Sequence, residues 1–498
     1  MVVTVVWFRR DLRLSDNPAV AKSVEIGNPI IFLYNLDVER LERKDVDSIH
    51  IEWELDCLKS LQKDLGVIGG KLLFNYGNIV EKLDELNKTF NISHVIGNEE
   101  TGLQWSWDRD KDVAYWCRKN NVEFTEFPSN GIIRGLQSRD NWKRLRDQRM
   151  NQEIIDPPTS IKSPQSLSEG KIPDVQELGL EKRELVDRPI PGEREAILQL
   201  LSFLGERGRQ YRSHMSSPYL ASTACSRLSP YISVGCISIR QILHHTRRKA
   251  RIVKVNPRSK ENLGWTGSIK SFQSRLAWHC HFIQRLDSEL TMDTIALNDK
   301  LDSFLQRKMD DSLFHAWANG CTGWPFFDAC MRSLIATGWI NFRMRAMLQS
   351  VASYTLWLPW QDTGLYLARL FLDYEPGIHW SQVQMQSGVT GINSIRAYSI
   401  SKQSQDQDPG GEFIRKWVPE LKDVPNQLIH SPWTMSKEEQ IEYDCIIGED
   451  YPMPILDEKE SRKIGISKSY SAKGKPESKA RSIEVYNQHG SRKRRNKT

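Results

Sequence analysis

Between Thr322 and Leu421, tryptophans share helical faces with arginines and carboxylates, and no other stretch restricts the possible fold so tightly. The segment reads TGWPFFDACMRSLIATGWINFRMRAML, continues as LPWQDTGLYLARLFLDYEPGIHWSQVQMQSG and closes with GEFIRKWVPEL. Ten of the sixteen tryptophans fall between Trp265 and Trp433. A core selected for stability alone favours Leu, Ile and Val, because guanidinium and carboxylate groups are costly to bury without partners. The composition therefore predicts a helical domain folded around a polar, polycyclic ligand.

A chain of 498 residues exceeds one ordinary core and implies two or three domains. In residues 1–130, strand-length apolar runs (Val2–Phe8, Ile30–Leu36, Lys71–Tyr76, His94–Gly97, Val122–Phe127) alternate with helical spacing over Ile49–Leu65, Ile79–Phe90 and Trp105–Asn120. That order predicts an α/β domain with a doubly wound parallel sheet, followed by an all-α domain. After the first strand comes WFRRDLRLSDNPAV, without GxGxxG or Walker glycines, which excludes a dinucleotide fingerprint or P-loop there. Residues 131–195 read as an interdomain linker, 196–457 as the helical domain, and 458–498 as a basic, disordered tail with at most a short helix near Arg481–His489. The tail segment 461–498 holds 12 basic and 2 acidic residues, so residues 1–460 carry a balance of −4. Such a tail is either merely solvated or a nonspecific attractor of phosphate.

No apolar run is long enough to span a bilayer, and MVVTVVWFRR lacks signal-peptide order. The eight cysteines are scattered and form no CxxC, so reduced thiols in a cytoplasmic monomer are expected, an iron–sulfur cluster being the minor reading. His279 and His281 lie two apart on a helix and point to different faces, so no metal site is expected.

Arg275, Arg343 and Arg345, with Asp373 and Glu375, offer charges able to address the edge of a heteroaromatic ring, and Ser226, Arg227 and Ser229 sit beside a helix start as a phosphate grip. Flavin adenine dinucleotide (FAD) suits this inventory; no axial haem ligand or pyridoxal lysine stands out. The ordered motifs VVWFRRDLRLSDNPAV, SRLSPYISVG, TGWPFFDACMRSL, TGWINFRMR, LFLDYEP, GEFIRKWVPEL and VPNQLIHSPW make the chain resemble the DNA photolyase/cryptochrome family over nearly its whole length. The resemblance implies an N-terminal domain able to hold a folate- or deazaflavin-type antenna chromophore, and a helical domain cradling FAD.

Carried over by motif, Tyr211, Cys225, Ser226, Arg227, Leu228 and Ser229 would hold the phosphates and ribityl chain of FAD. Phe272 and His279 would line its cavity; Arg345 and Asp373 would pair beside the ring, with Tyr374 and Glu375 following. Arg275, Trp278, Phe342, Arg343 and Gln403 would face DNA, with Trp278 stacking on an extruded pyrimidine photoproduct. The resemblance breaks at Arg275, where dimer-specific photolyases carry a glutamate that hydrogen-bonds the lesion, and between Ile378 and Met385: Val383 replaces the proximal electron-ladder tryptophan and Met385 a lesion-stacking one, Trp360 keeps the middle rung, and the distal rung falls at Arg307. Trp380 is then the candidate to rebuild the ladder. His379 either faces the flavin N5 or hydrogen-bonds backbone. Two functions follow from the resemblance: light-driven repair of a cyclobutane dimer or (6-4) product in DNA, or a blue-light receptor of cryptochrome type.

Overall fold

The computed structural model describes residues 1–128 and 130–490. Five short strands, β1 (Val3–Phe8), β2 (Ile30–Leu36), β3 (Leu72–Tyr76), β4 (Ile92–Asn98) and β5 (Glu123–Phe127), form one sheet in the order β3-β2-β1-β4-β5. Every neighbouring pair is parallel. β1 and β2 are buried at every position, as strands covered on both faces require, which is why they read as unbroken apolar runs. Helices α1 (Pro18–Ile26), α2 (Ser48–Val67), α3 (Ile79–Phe90) and α4 (Gln104–Lys119) cover the sheet. α1 is missing from the expected set because its buried face is only Ala19, Val20 and Ser23; Asn17, capping Val20 N–H, and Pro18 mark its start.

The second domain is all helical. The site rests on α5 (Pro218–Ala224), the one-turn α6 (Ser229–Ser233), α7 (Trp265–Ser288), α8 (Phe342–Ser350), α9 (Trp360–Leu370), α10 (Pro376–Ser387) and α11 (Ile400–Gln407). A π-helical turn, Val351–Thr355, extends α8. The domains share one apolar core, in which Phe8, Trp53 and Leu58 join Phe203, Tyr231, Phe272 and Cys280. Trp53 Nε1 donates across the seam to the Pro230 carbonyl at 2.9 Å. An α/β sheet domain followed by a helical domain is thus the architecture expected from the sequence.

Two segments differ from expectation. The stretch 131–195 is no free linker: it includes a helix, Trp142–Met150, and lies along the sheet domain, where Ile161 N–H donates to Ile68 and Ile30 N–H to Lys162, both at 2.7 Å. The tail expected to be disordered forms α12 (Glu458–Gly474) and α13 (Pro476–His489), which dock on the helical domain. Asn298 Nδ2 donates to the Ser478 carbonyl and the Ser482 hydroxyl, both at 2.9 Å, and Lys473 Nζ to the Asn393 carbonyl at 2.8 Å. The buried face of α12 is Gly465, Ser469 and Ala472, side chains too small to register as an apolar stripe but suited to close backbone approach. Residues 491–498, which end that tail, lie outside the described residues.

Candidate functional site

The charge pair at the centre of the helical domain is built by two chain breaks. Asn341 precedes α8 and sets Arg345 on its first turns; Phe371 ends α9, and the chain turns through Asp373 before Glu375 caps α10. Arg345 Nη1 and Nη2 each donate to an Asp373 oxygen at 2.8 Å, a bidentate pair, while Nε donates to the Ile340 carbonyl at 2.7 Å. The guanidinium lies 4.2 Å from the Phe371 ring centre. Burial would raise the Asp373 carboxyl, but Arg345, with help from Ser229 and Arg227, more than offsets this and holds it below the usual range.

Around this pair stand the aromatic and phosphate-binding candidates. Tyr211 and Phe272 meet edge-on at 5.9 Å, both against Phe203, and form a buried wall. Cys225 ends α5; burial pushes its thiol up to about 12 against Arg227, Arg207, Arg275 and Arg345, which all act to lower it. Arg227 is held at φ 58°, a left-handed conformation costing about 1–3 kcal/mol for such a residue. Its guanidinium lies 3.9 Å from the Trp339 ring centre. Leu228 is buried, and Ser229 starts α6, a single turn too short to act as an anion-binding helix start. Arginine charge must therefore do the work assigned to that helix end. Four guanidiniums around one thiol, with Asp373 beside two of them, suit a diphosphate-bearing dinucleotide such as FAD, and the flat walls suit its rings. Arg275 Nη1 and Asn341 Oδ1 are buried without a protein partner, which also fits a polar ligand.

Beside this pocket lies an open aromatic platform. Trp278 and Phe342 remain 43% and 38% exposed, with ring centres 6.5 Å apart. Arg275 lies over both, 4.3 Å from Trp278 and 5.2 Å from Phe342. Arg343 Nη1 donates to Gln403 Oε1 at 3.3 Å, joining α8 to α11. The five residues assigned to DNA thus fall on three neighbouring helices, α7, α8 and α11.

The remaining candidates separate. Trp360 and Trp380 are fully buried and meet edge-on at 6.1 Å. Gly364 on α9 makes room: a Cβ there would lie 2.6 Å from Trp380 Cζ3 and 3.0 Å from Val383 Cγ1. The Trp380 indole therefore packs beside Val383, one turn before the lost rung. His379 hydrogen-bonds the Gly364 carbonyl through Nε2 at 2.8 Å, and burial holds it down to about 4, so it is neutral. Tyr374 and Glu375 point away from the Arg345 pair towards the sheet domain: Tyr374 bonds Asp45, and Glu375 pairs with Arg10 at 3.0 Å. His279 lines a polar cleft with Arg10, Ser238 and Glu375, its Nδ1 buried without a partner and its pKa lowered to about 4 by burial and nearby arginines. His281 instead accepts from Arg139 Nη2 at 2.8 Å, so the two histidines diverge. Among the described residues no group of side chains could hold a metal ion, and all eight cysteines are free.

Sequence reasoning missed the seam between the domains. A cleft of about 80 Å³ is lined there by Arg9, Tyr34, Arg43, Asp45, Trp105 and Tyr374, among others. Its charges pair internally: Arg43 with Asp45 at 2.8 Å, Arg109 with Glu100 at 2.6 Å and Asp37 at 3.1 Å. Their spacing along the chain carries no signal that would bring them together.

Residues 4–138 match the family model described as DNA photolyase, and residues 272–470 the one described as FAD binding domain of DNA photolyase. The chain is 29% identical to a deoxyribodipyrimidine photo-lyase of Alkalihalophilus pseudofirmus, over 93% of this chain and 96% of that protein. It is 26% identical to a cryptochrome DASH of Natronomonas pharaonis, covering 92% and 98%. Its fold superposes on a bacterial class III photolyase from Agrobacterium tumefaciens with a TM-score of 0.84, at 24% identity over 95% of this chain and 98% of that one. With two family models covering both domains and full-length relatives of both names, the chain belongs to the DNA photolyase/cryptochrome family.

Proposed function

We propose that the protein is a light-driven DNA-repair enzyme that binds FAD at the Arg345–Asp373 pair and a flipped-out pyrimidine photoproduct at the Trp278 platform. The observation that carries this reading is the exposure of Trp278 and Phe342 under one guanidinium, directly beside the flavin candidates. Such a surface suits a stacked base, and base stacking on it is worth about 1–3 kcal/mol per base. Bound FAD supplies light absorption and one-electron transfer. Arg345 and Asp373 fix the orientation of the ring edge. Arg227 and its neighbours neutralise the diphosphate, and Tyr211 and Phe272 exclude water from one side. Arg275 and Arg343 hold phosphate or base oxygens of the extruded nucleotide, keeping it near the ring. A folate- or deazaflavin-type antenna fits the seam between the domains only if its paired charges part to admit it. The cryptochrome reading draws on Arg275, Val383 and Met385, where the lesion pocket and electron ladder depart from the family pattern.

Oligonucleotides carrying a defined cyclobutane dimer or (6-4) product, illuminated with blue light in the presence of the flavin-reduced protein, decide between the two. Loss of at least one lesion, abolished by Trp278→Ala, is the expected result. Intact lesions beside normal flavin photoreduction assign the protein to signalling.

A further inference from the structure

The reading above leaves a phenol unexplained. Trp380 Nε1–H donates to the Tyr374 oxygen at 3.0 Å, and the Tyr374 O–H donates to Asp45 Oδ2 at 2.5 Å. Asp45 is buried; its other oxygen accepts from Arg43 Nε at 2.8 Å, and Arg43 Nη2 continues to Asp293 at 3.2 Å. Indole, phenol and carboxylate thus form an unbroken line that starts inside the helical domain and ends on the sheet domain. Asp45 and Tyr374 also line the interdomain cleft, whereas Trp380 at the other end of the line is fully buried. The adjoining rings, His50 at 5.6 Å and His379 at 5.3 Å, are both kept neutral by burial and add no competing charge.

A phenol is readily oxidised only when its proton leaves with its electron, because the phenol radical cation is a very strong acid. A carboxylate already accepting that proton meets the requirement. We propose that Tyr374 is the terminal electron donor of an internal supply line, giving one electron to oxidised Trp380 and its phenolic proton to Asp45. The proposal rests on the flavin reading, since the oxidant is a photoexcited, oxidised isoalloxazine that removes one electron from the Trp380 indole. Tyr374 returns one electron to the indole cation, and the O–H bond breaks as a bond forms to Asp45 Oδ2. Indole cation, phenol and carboxylate become neutral indole, neutral phenoxyl radical and neutral carboxylic acid. Two opposite charges disappear from a buried site, which low polarity favours. A thiolate entering the cleft then reduces the phenoxyl, becoming a thiyl radical, and Asp45 gives the proton back.

The test is flash photolysis of the flavin-loaded full chain without added reductant, followed by transient absorption and electron paramagnetic resonance. A neutral tyrosyl radical is expected, forming more slowly in D₂O, and lost in Tyr374→Phe. Asp45→Asn, which keeps a hydrogen-bond acceptor but takes up no proton, should also lose it. In the dark, ultraviolet resonance Raman should show one hydrogen-bonded indole N–H released by Tyr374→Phe. Tryptophan radicals alone in the parent protein, or a tyrosyl radical that survives Tyr374→Phe, overturns the proposal. A parent chain that retains no flavin shows this in its absorption spectrum before any flash, and sinks the flavin reading itself.

Discussion

Asp373 is buried, and its charge is tolerated chiefly because two guanidinium nitrogens of Arg345 bond it face to face. Asp373→Ala would leave that guanidinium unpaired. Breaking a buried pair costs about 3–5 kcal/mol, and the lower end applies because the Arg345 side chain keeps 24% of its exposure. The flavin-to-protein ratio after purification should fall, together with the urea midpoint; an unchanged ratio would remove the pair from the binding site. Gly364 tests the tryptophan geometry. In Gly364→Ala, overpacking against Trp380 costs about 1–3 kcal/mol while helix propensity returns up to about 1. A net loss of stability with altered tryptophan fluorescence is expected. The Arg345–Asp373 pair was legible from motif and residue type. The destination of Tyr374 was not, because its partner Asp45 lies 329 positions away and no local pattern announces such a contact.

At the scale of elements, the sheet strands could be read because parallel strands buried on both faces must be apolar throughout. The C-terminal helices could not. Their docking depends on smallness, most sharply at Gly465, where a Cβ would stand 1.9 Å from the Tyr354 carbonyl oxygen. Gly465→Val should therefore lift α12 from the π-helical turn Val351–Thr355. The expected outcome is rapid tryptic cleavage within 458–489 in the variant and protection in the parent chain. Equal protection in both would place the docking energy elsewhere, at Asn298 or Lys473. Arg307 donates to the Ser353 carbonyl in the π turn at 3.1 Å and to the Ser387 carbonyl at the end of α10 at 2.8 Å, so the residue at the lost distal rung fastens these two elements together.

Over the whole molecule, charge and protonation set the working range. Residues 491–498, SRKRRNKT, carry five basic residues, and the slope of log affinity against log salt for duplex DNA is about −0.9 per phosphate neutralised. Deleting them should flatten that slope by up to about 4.5 without loss of flavin, as a salt titration would show. Acid should destabilise the fold through its buried histidines. His50 and His379 are lowered to about 4 by burial, so between pH 6.5 and 4 the unfolded chain binds protons that the folded chain refuses. Stability then rises with pH across that window, and each histidine costs about 2 kcal/mol at pH 5. Asp328, raised to about 6 chiefly by burial, opposes this below its own folded pKa. His50→Gln should reduce proton uptake on unfolding near pH 5 by about one, measured from urea midpoints as a function of pH.

The three consecutive side chains Asp373, Tyr374 and Glu375 reach Arg345 in the helical domain and Asp45 and Arg10 in the sheet domain. Three neighbouring residues therefore serve two masters, which limits how freely the halves can be recombined. A chimera given a foreign sheet domain would lose the partners of Tyr374 and Glu375 unless arginine and aspartate were grafted at positions 10 and 45. The sheet domain of this protein is not a portable module.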